Sequence, residues 1–237
     1  MINYARGPQV GPIGSATGFS PVVVNCIFIR NHAIEGGAVY NYDRGTPKFT
    51  SCRFAENSAD YGGAMVDRVG VKSEITSCVF ENNTAKWRAG ALYLDYGARP
   101  KATDCRFSGN KSDCNGGAIA TISRASQLDA TIPVFVKCSF DANTARNRGG
   151  AIANFDSSVL GLDSCVFSGN SAGTGGAIAN NYRAKSVIVS CRFSDNRAEK
   201  GDGDAASDDT STVSNNREEW PNQAGGAPQA GFGPPQR

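Results

Sequence analysis

The chain has 237 residues, a formal net charge of +2, 28 Gly and only five Leu. Gly costs about 1 kcal/mol relative to Ala in a helix interior, so this composition argues against a helical fold. Acids and bases are interspersed, leaving no basic stripe for nucleic acid and no acidic tract for cations, and no apolar run approaches the ~20 residues of a membrane-spanning helix.

Residues 1–20, MINYARGPQVGPIGSATGFS, show neither a charged region before an apolar core nor a cleavage site, so no secretory signal is visible. An irregular segment, uncapped or truncated, is expected there. The first repeat begins abruptly after it, which suggests a start internal to a longer gene.

From residue 21 one pattern recurs: Cys, Phe two residues later, Asn three after that, then a Gly pair. The Cys positions are Cys26, Cys52, Cys78, Cys105, Cys138, Cys165 and Cys191. Phe follows at Phe28, Phe54, Phe80, Phe107, Phe140, Phe167 and Phe193, and Asn at Asn31, Asn57, Asn83, Asn110, Asn143, Asn170 and Asn196. Gly pairs stand at Gly36 and Gly37, Gly62 and Gly63, Gly116 and Gly117, Gly149 and Gly150, and Gly175 and Gly176, with Ala89 and Gly90 in the third copy. A phosphate-binding glycine loop is needed once and opens a helix; this one recurs and opens a short apolar run, so it is read as a corner.

Successive Cys residues are 26, 26, 27, 33, 27 and 26 apart. The one long step falls within Ala118–Cys138, where an insertion in a repeat array maps to a loop. Residues before each Cys (VVVN, KFTS, EITS) are β-branched or aromatic, and Cys and Phe, two apart, share one face of a strand. Runs such as AVY, AMV and ALY follow the Gly corner, and a more polar segment leads to the next Cys. Three short strands per coil, without helical periodicity, predict an all-β right-handed parallel β-helix over residues 21–200. Seven coils at about 4.8 Å each give a rod roughly 34 Å long, with Cys, Phe and Asn stacking in columns. The Asn column is expected to hydrogen-bond along its length and to occupy the left-handed corner itself. A leucine-rich repeat lacks its Leu lattice here, and TPR or ankyrin arrays need helices.

Residues 201–237 change character, acidic through GDGDAASDDTSTVSNN and then rich in Gly, Pro and Gln, and read as a disordered tail. Asp202, Asp204, Asp208 and Asp209 lack the spacing of a calcium loop.

Paired FxxN and GGA(I/V/L/M) motifs, here FSGN at Phe167 with GGAI at Gly175, resemble the repeats of the polymorphic outer membrane proteins first known from chlamydiae. The resemblance covers roughly residues 22–200. It implies a β-helical passenger at a bacterial surface or secreted from it, adhesin-like in some members, with a surface protein or glycan as partner. No cofactor and no nucleic-acid partner is implied.

No CxxC occurs and seven of eight Cys share one repeat position, so buried inert thiols are expected, with Cys114 the candidate for an exposed one. His32 is the only His, so neither a zinc site nor a Ser-His pair can be assembled in the usual way, and it reads as a solvent-facing corner. Right-handed β-helices also host polysaccharide lyases and hydrolases, whose chemistry needs converging carboxylates. The candidates for that alternative are Asp67, Asp95 and Arg68. Tyr42, Asp43, Tyr96, Asp156 and Tyr182 follow the Gly corners and are candidates to grip sugar rings; Asn41, Asn154 and Asn180 lie with them, and a polar corner ladder is the simpler reading.

Overall fold

The computed structural model describes residues 13–15, 20–123, 130–207 and 212–214, and every regular element among them is a β-strand. The strands form four parallel sheets of eight, eight, seven and seven strands, each built from equivalent segments of successive coils. In the first coil these segments are Ile27–Ile29, His32–Glu35, Val39–Tyr42 and Lys48–Thr50. Each pairs with its counterpart one coil on, so that Phe28 faces Phe54, Val39 faces Met65 and Lys48 faces Glu74. The result is the expected parallel β-solenoid, with four strands per coil rather than three.

The extra strand arises because the chain breaks just before each Cys. Asn25, Ser51, Ser77, Asp104, Lys137, Ser164 and Ser190 all have φ between 52° and 56°. A left-handed residue cannot continue a strand, so the β-branched run and the Cys-x-Phe segment become separate strands meeting at a corner. A second left-handed residue precedes each Asn, as at Arg30, Glu56 and Ala142. The expectation that Asn itself turns this corner is corrected: the Asn side chain holds the corner while its neighbour bends.

Each inner Asn makes that hold through its amide. Asn57 Nδ2 donates to the Phe28 carbonyl behind it at 3.0 Å and to Asn83 Oδ1 ahead at 2.9 Å. Asn83 Oδ1 also accepts the Asn57 backbone N–H at 3.0 Å, and the same set repeats to Asn170. Five inner Asn side chains are fully buried without an unmet donor, as buried amides require. Beside them the Phe column stacks nearly face to face, with centroids 4.6 to 4.9 Å apart from Phe28 through Phe193. Cys, Phe and the aliphatic residues after the Gly corner make one continuous core.

The Gly corner divides its two tasks. The first position takes positive φ, 61° at Gly62 and 60° at Ala89 in the one coil without Gly there. The second has no room: a Cβ on Gly63 would sit 2.2 Å from the Gly90 carbonyl oxygen. The insertion leaves the ladder in register, since Lys101 pairs with Val134 and Ile119 with Ile152. At the ends the ladder passes the expected limits of 21 and 200. Ile13–Ser15 pairs with Val39–Asn41, and Ala205–Ser207 and Thr212–Ser214 pair with the preceding coil. Small residues at Ala205 and Ala206 continue the positions of Ile178 and Ala179, which lets the chain follow one coil further. Residues 215–237, with Asp208 and Asp209, lie outside the described residues.

Candidate functional site

The strand after each Gly corner has two dissimilar faces, because neighbouring residues in a strand project oppositely. Inward, Met65, Leu92, Ile119 and Ile152 join the core. Two residues on lies a buried polar column of Asn41, Asp67, Thr121, Asn154 and Asn180, interrupted by Leu94. Asn41 Nδ2 donates to Asp67 Oδ1 at 2.7 Å, and the Ser73 hydroxyl donates to Asp67 Oδ2. Burial pushes the Asp67 carboxyl up to about 6, against the pull of the Ser73 and Asn41 hydrogen bonds. Further along, Asn154 Nδ2 donates to Asn180 Oδ1 at 2.8 Å.

Outward, the same strands carry a second apolar cluster that includes Val66, Tyr93, Ala120, Ile122 and Phe155. Side chains just before the Gly corner stand over it as a wall. Tyr61 packs on Tyr93 with centroids 5.6 Å apart, and the Arg88 guanidinium lies 5.7 Å from the Phe155 centroid. Arg68 Nη1 meets Glu35 Oε2 at 2.8 Å and its Nη2 lies 3.6 Å from Asp95 Oδ2. Burial opposes the Arg68 charge, and Glu35, Tyr40 and Asp95 outweigh it. Asp95 is fully buried, accepting from the Tyr96 backbone N–H at 2.7 Å and the Tyr93 hydroxyl at 3.1 Å.

The candidate catalytic trio is therefore split. Arg68 and Asp95 share the outer face, whereas Asp67 points into the core and spends both oxygens there. The supposed single polar ladder is also two: Asn41, Asp67, Asn154 and Asn180 are internal, while Asp43 and Asp156 sit on the outer edge.

That edge carries two-residue left-handed turns closing five of these strands among the described residues, in two runs either side of the strand Ile119–Ile122: Asp43 and Arg44, Val69 and Gly70, Tyr96 and Gly97, then Asp156 and Ser157, Tyr182 and Arg183. Backbone bonds tie them coil to coil, as from Arg44 N–H to the Val69 carbonyl at 2.8 Å and from Ser157 N–H to the Tyr182 carbonyl at 3.0 Å. Four of the five candidate sugar-gripping residues, Asp43, Tyr96, Asp156 and Tyr182, thus occupy one equivalent position. Tyr42, the fifth, ends the adjacent strand. Tyr42 and Tyr182 are exposed, and Arg68 covers the Tyr96 ring at 5.6 Å.

The family described as right handed beta helix region matches residues 7–132, more than half of the chain. The chain belongs to this right-handed β-helix family. The Chlamydia polymorphic membrane protein repeat matches residues 164–181, the copy holding FSGN and GGAI, and the resemblance seen in the motifs holds. No curated protein matches the chain, and no solved structure does.

In this β-helix all eight cysteines are free thiols. The inner five are buried, each donating to carbonyls of its own and the previous coil, as Cys78 does to Phe49 at 3.5 Å and Thr76 at 3.3 Å. Cys114 stands apart, half-buried, accepting from the Asn115 amide at 3.0 Å and the Asn147 amide at 3.3 Å. His32 is exposed beside Ser58, 2.9 Å away. No group of His, Cys, Asp and Glu arranged to hold a metal occurs among the described residues. Reading the sequence named Arg68 but missed the outer cluster and Arg88. Its signal was present in AVY, AMV and ALY, where neighbouring residues of both alternating sets are apolar or aromatic, the mark of a strand covered on both faces.

Proposed function

We propose that this β-helix is a non-enzymatic bacterial surface or secreted passenger, a rigid rod that presents its outer turn ladder to a saccharide. The observation that carries this reading is the recurrence of Tyr182, Tyr96 and the acids Asp43 and Asp156 at one turn position, with the rings of Tyr182 and the neighbouring Tyr42 exposed. An aromatic face and adjacent carboxylates recur along one edge, which suits an extended sugar chain better than a single small molecule. The match to a membrane-protein repeat supports the surface assignment.

The alternative, a carbohydrate-cleaving β-helix, is disfavoured by the separation of Asp67 from Arg68 and Asp95. General acid and base must both reach one bond. Asp67 lies behind the sheet.

A glycan array probed with the full chain, followed by incubation of each bound glycan with the protein and a measurement of chain length, tests the reading. Binding with glycan length unchanged is expected. Shortening of a bound glycan would make the protein an enzyme, and silence across the array would remove the saccharide as partner.

A further inference from the structure

The outer face is not uniform along the rod. In the lower coils Arg68 is matched by Glu35 and Asp95. Higher up, the wall runs through Arg88, Asn115 and Arg148 by parallel bridges, and neither arginine pairs with a carboxylate among the described residues. Arg88 extends over Phe155, toward the coil whose wall carries Arg148. Between the two, Asn115 is 8% exposed and its buried Oδ1 has no hydrogen-bond partner. A buried polar atom left so costs on the order of 1–3 kcal/mol. Phe155 and Tyr182 stack with centroids 6.4 Å apart, and Tyr182 is 56% exposed, the most open aromatic ring of this face. In the turns alongside, Asp156 adds one negative charge and Arg183 one positive, so positive charge prevails here.

We propose that this upper stretch of the outer face binds an acidic saccharide, with the carboxylate or sulfate of one ring held between Arg88 and Arg148 and a neighbouring ring laid on Tyr182. This rests on the saccharide reading above and names its ligand class. A guanidinium fork matches the paired oxygens of carboxylate or sulfate, and an aromatic face beside it offers the apolar side of a sugar ring a partner.

Calorimetric titration of the full chain decides it, using a hyaluronan hexasaccharide (carboxylate only), its neutral methyl ester, and sulfated maltohexaose (sulfate only). At least one of the two anionic oligosaccharides is expected to bind. Methyl esterification, for the carboxylate, and the double substitution Arg88→Gln with Arg148→Gln, for either anion, should each weaken binding about tenfold or more. Arg148→Gln alone alters a side chain with no carboxylate partner among the described residues, so it keeps the test open should the double variant misfold, and it too must weaken binding. Failure of both anions to bind, or binding indifferent to esterification and to Arg148→Gln, overturns the proposal. If neutral saccharides bind and Tyr182→Ala abolishes that binding, the saccharide face stands while its acidic specificity falls. If no saccharide binds, both fall.

Discussion

Asn83 Oδ1 accepts two hydrogen bonds from Asn57, one from its side-chain amide at 2.9 Å and one from its backbone N–H at 3.0 Å. The pair shows how a repeated residue stabilises a repeated corner. The left-handed residue before each Asn costs on the order of 1 kcal/mol, and the amide ladder next to it offsets that cost.

Position along the rod should therefore decide what an Asn is worth. Asn83→Ala strands the Asn57 N–H and removes the donor to the Phe54 carbonyl, which should cost about 2–4 kcal/mol. Asn31→Ala removes an oxygen that has no partner and a single donor to Asn57, and should cost about 1 kcal/mol or less. Urea denaturation of both variants checks the order.

The Gly corner gives two substitutions of unlike size. Gly63→Ala places a Cβ 2.2 Å from the Gly90 oxygen and 2.4 Å from the Thr84 oxygen, both backbone. A loss of more than about 3 kcal/mol, or failure to fold, is expected. Ala89→Gly relieves a φ of 60° but gives up a buried methyl, and these terms of about 1 kcal/mol each should leave stability nearly unchanged. Thermal melts of the two proteins make the comparison.

The coil, its period and the Cys, Phe and Asn columns were legible because each recurs at a fixed offset and stacks on itself. The four-strand division was not, because the bending residues before each Cys, such as Ser51, Asp104 and Lys137, sit inside what reads as one continuous strand. Ladder hydrogen bonds impose the bend there, and a single polar residue before Cys does not announce it. For Asp67 and Arg68 the alternation was readable, but which of the two faced inward depended on where the Gly corner released the strand.

Asp67 should leave a signature in pH. Its carboxyl is held at about 6 in the folded protein, against 3.8 ordinarily, so the folded state binds the proton more tightly than the unfolded chain. Stability should then be greatest below about pH 4, fall as pH rises to about 6, and level off beyond, a change of up to about 3 kcal/mol. Asp67→Asn keeps an acceptor for the Asn41 amide and can donate to the Ser73 hydroxyl, without the charge. It should flatten this part of the profile and be the more stable protein at pH 7. Equal slopes in the two proteins between pH 4 and 6 would contradict the assignment.

Thiol chemistry should sort the cysteines by place. Cys114, with Cys26 and Cys191 at the column ends, is half-buried, whereas Cys52, Cys78, Cys105, Cys138 and Cys165 are buried. Alkylation of the native protein followed by peptide mass spectrometry should label the first three well before the inner five, whose modification should track global unfolding. Early labelling of Cys105 in the folded protein would mean that the core opens locally.

The central claim is that the outer turn ladder is where this β-helix meets a saccharide, and it is tested most directly by comparing the full chain with its Tyr42→Ala, Tyr182→Ala double variant on the same glycan array. Both rings are exposed, at 42% and 56%, so the variant should melt close to the parent. The account predicts that the parent binds a saccharide and that the variant loses most of that binding. Undiminished binding by the variant, or none by the parent, would contradict it.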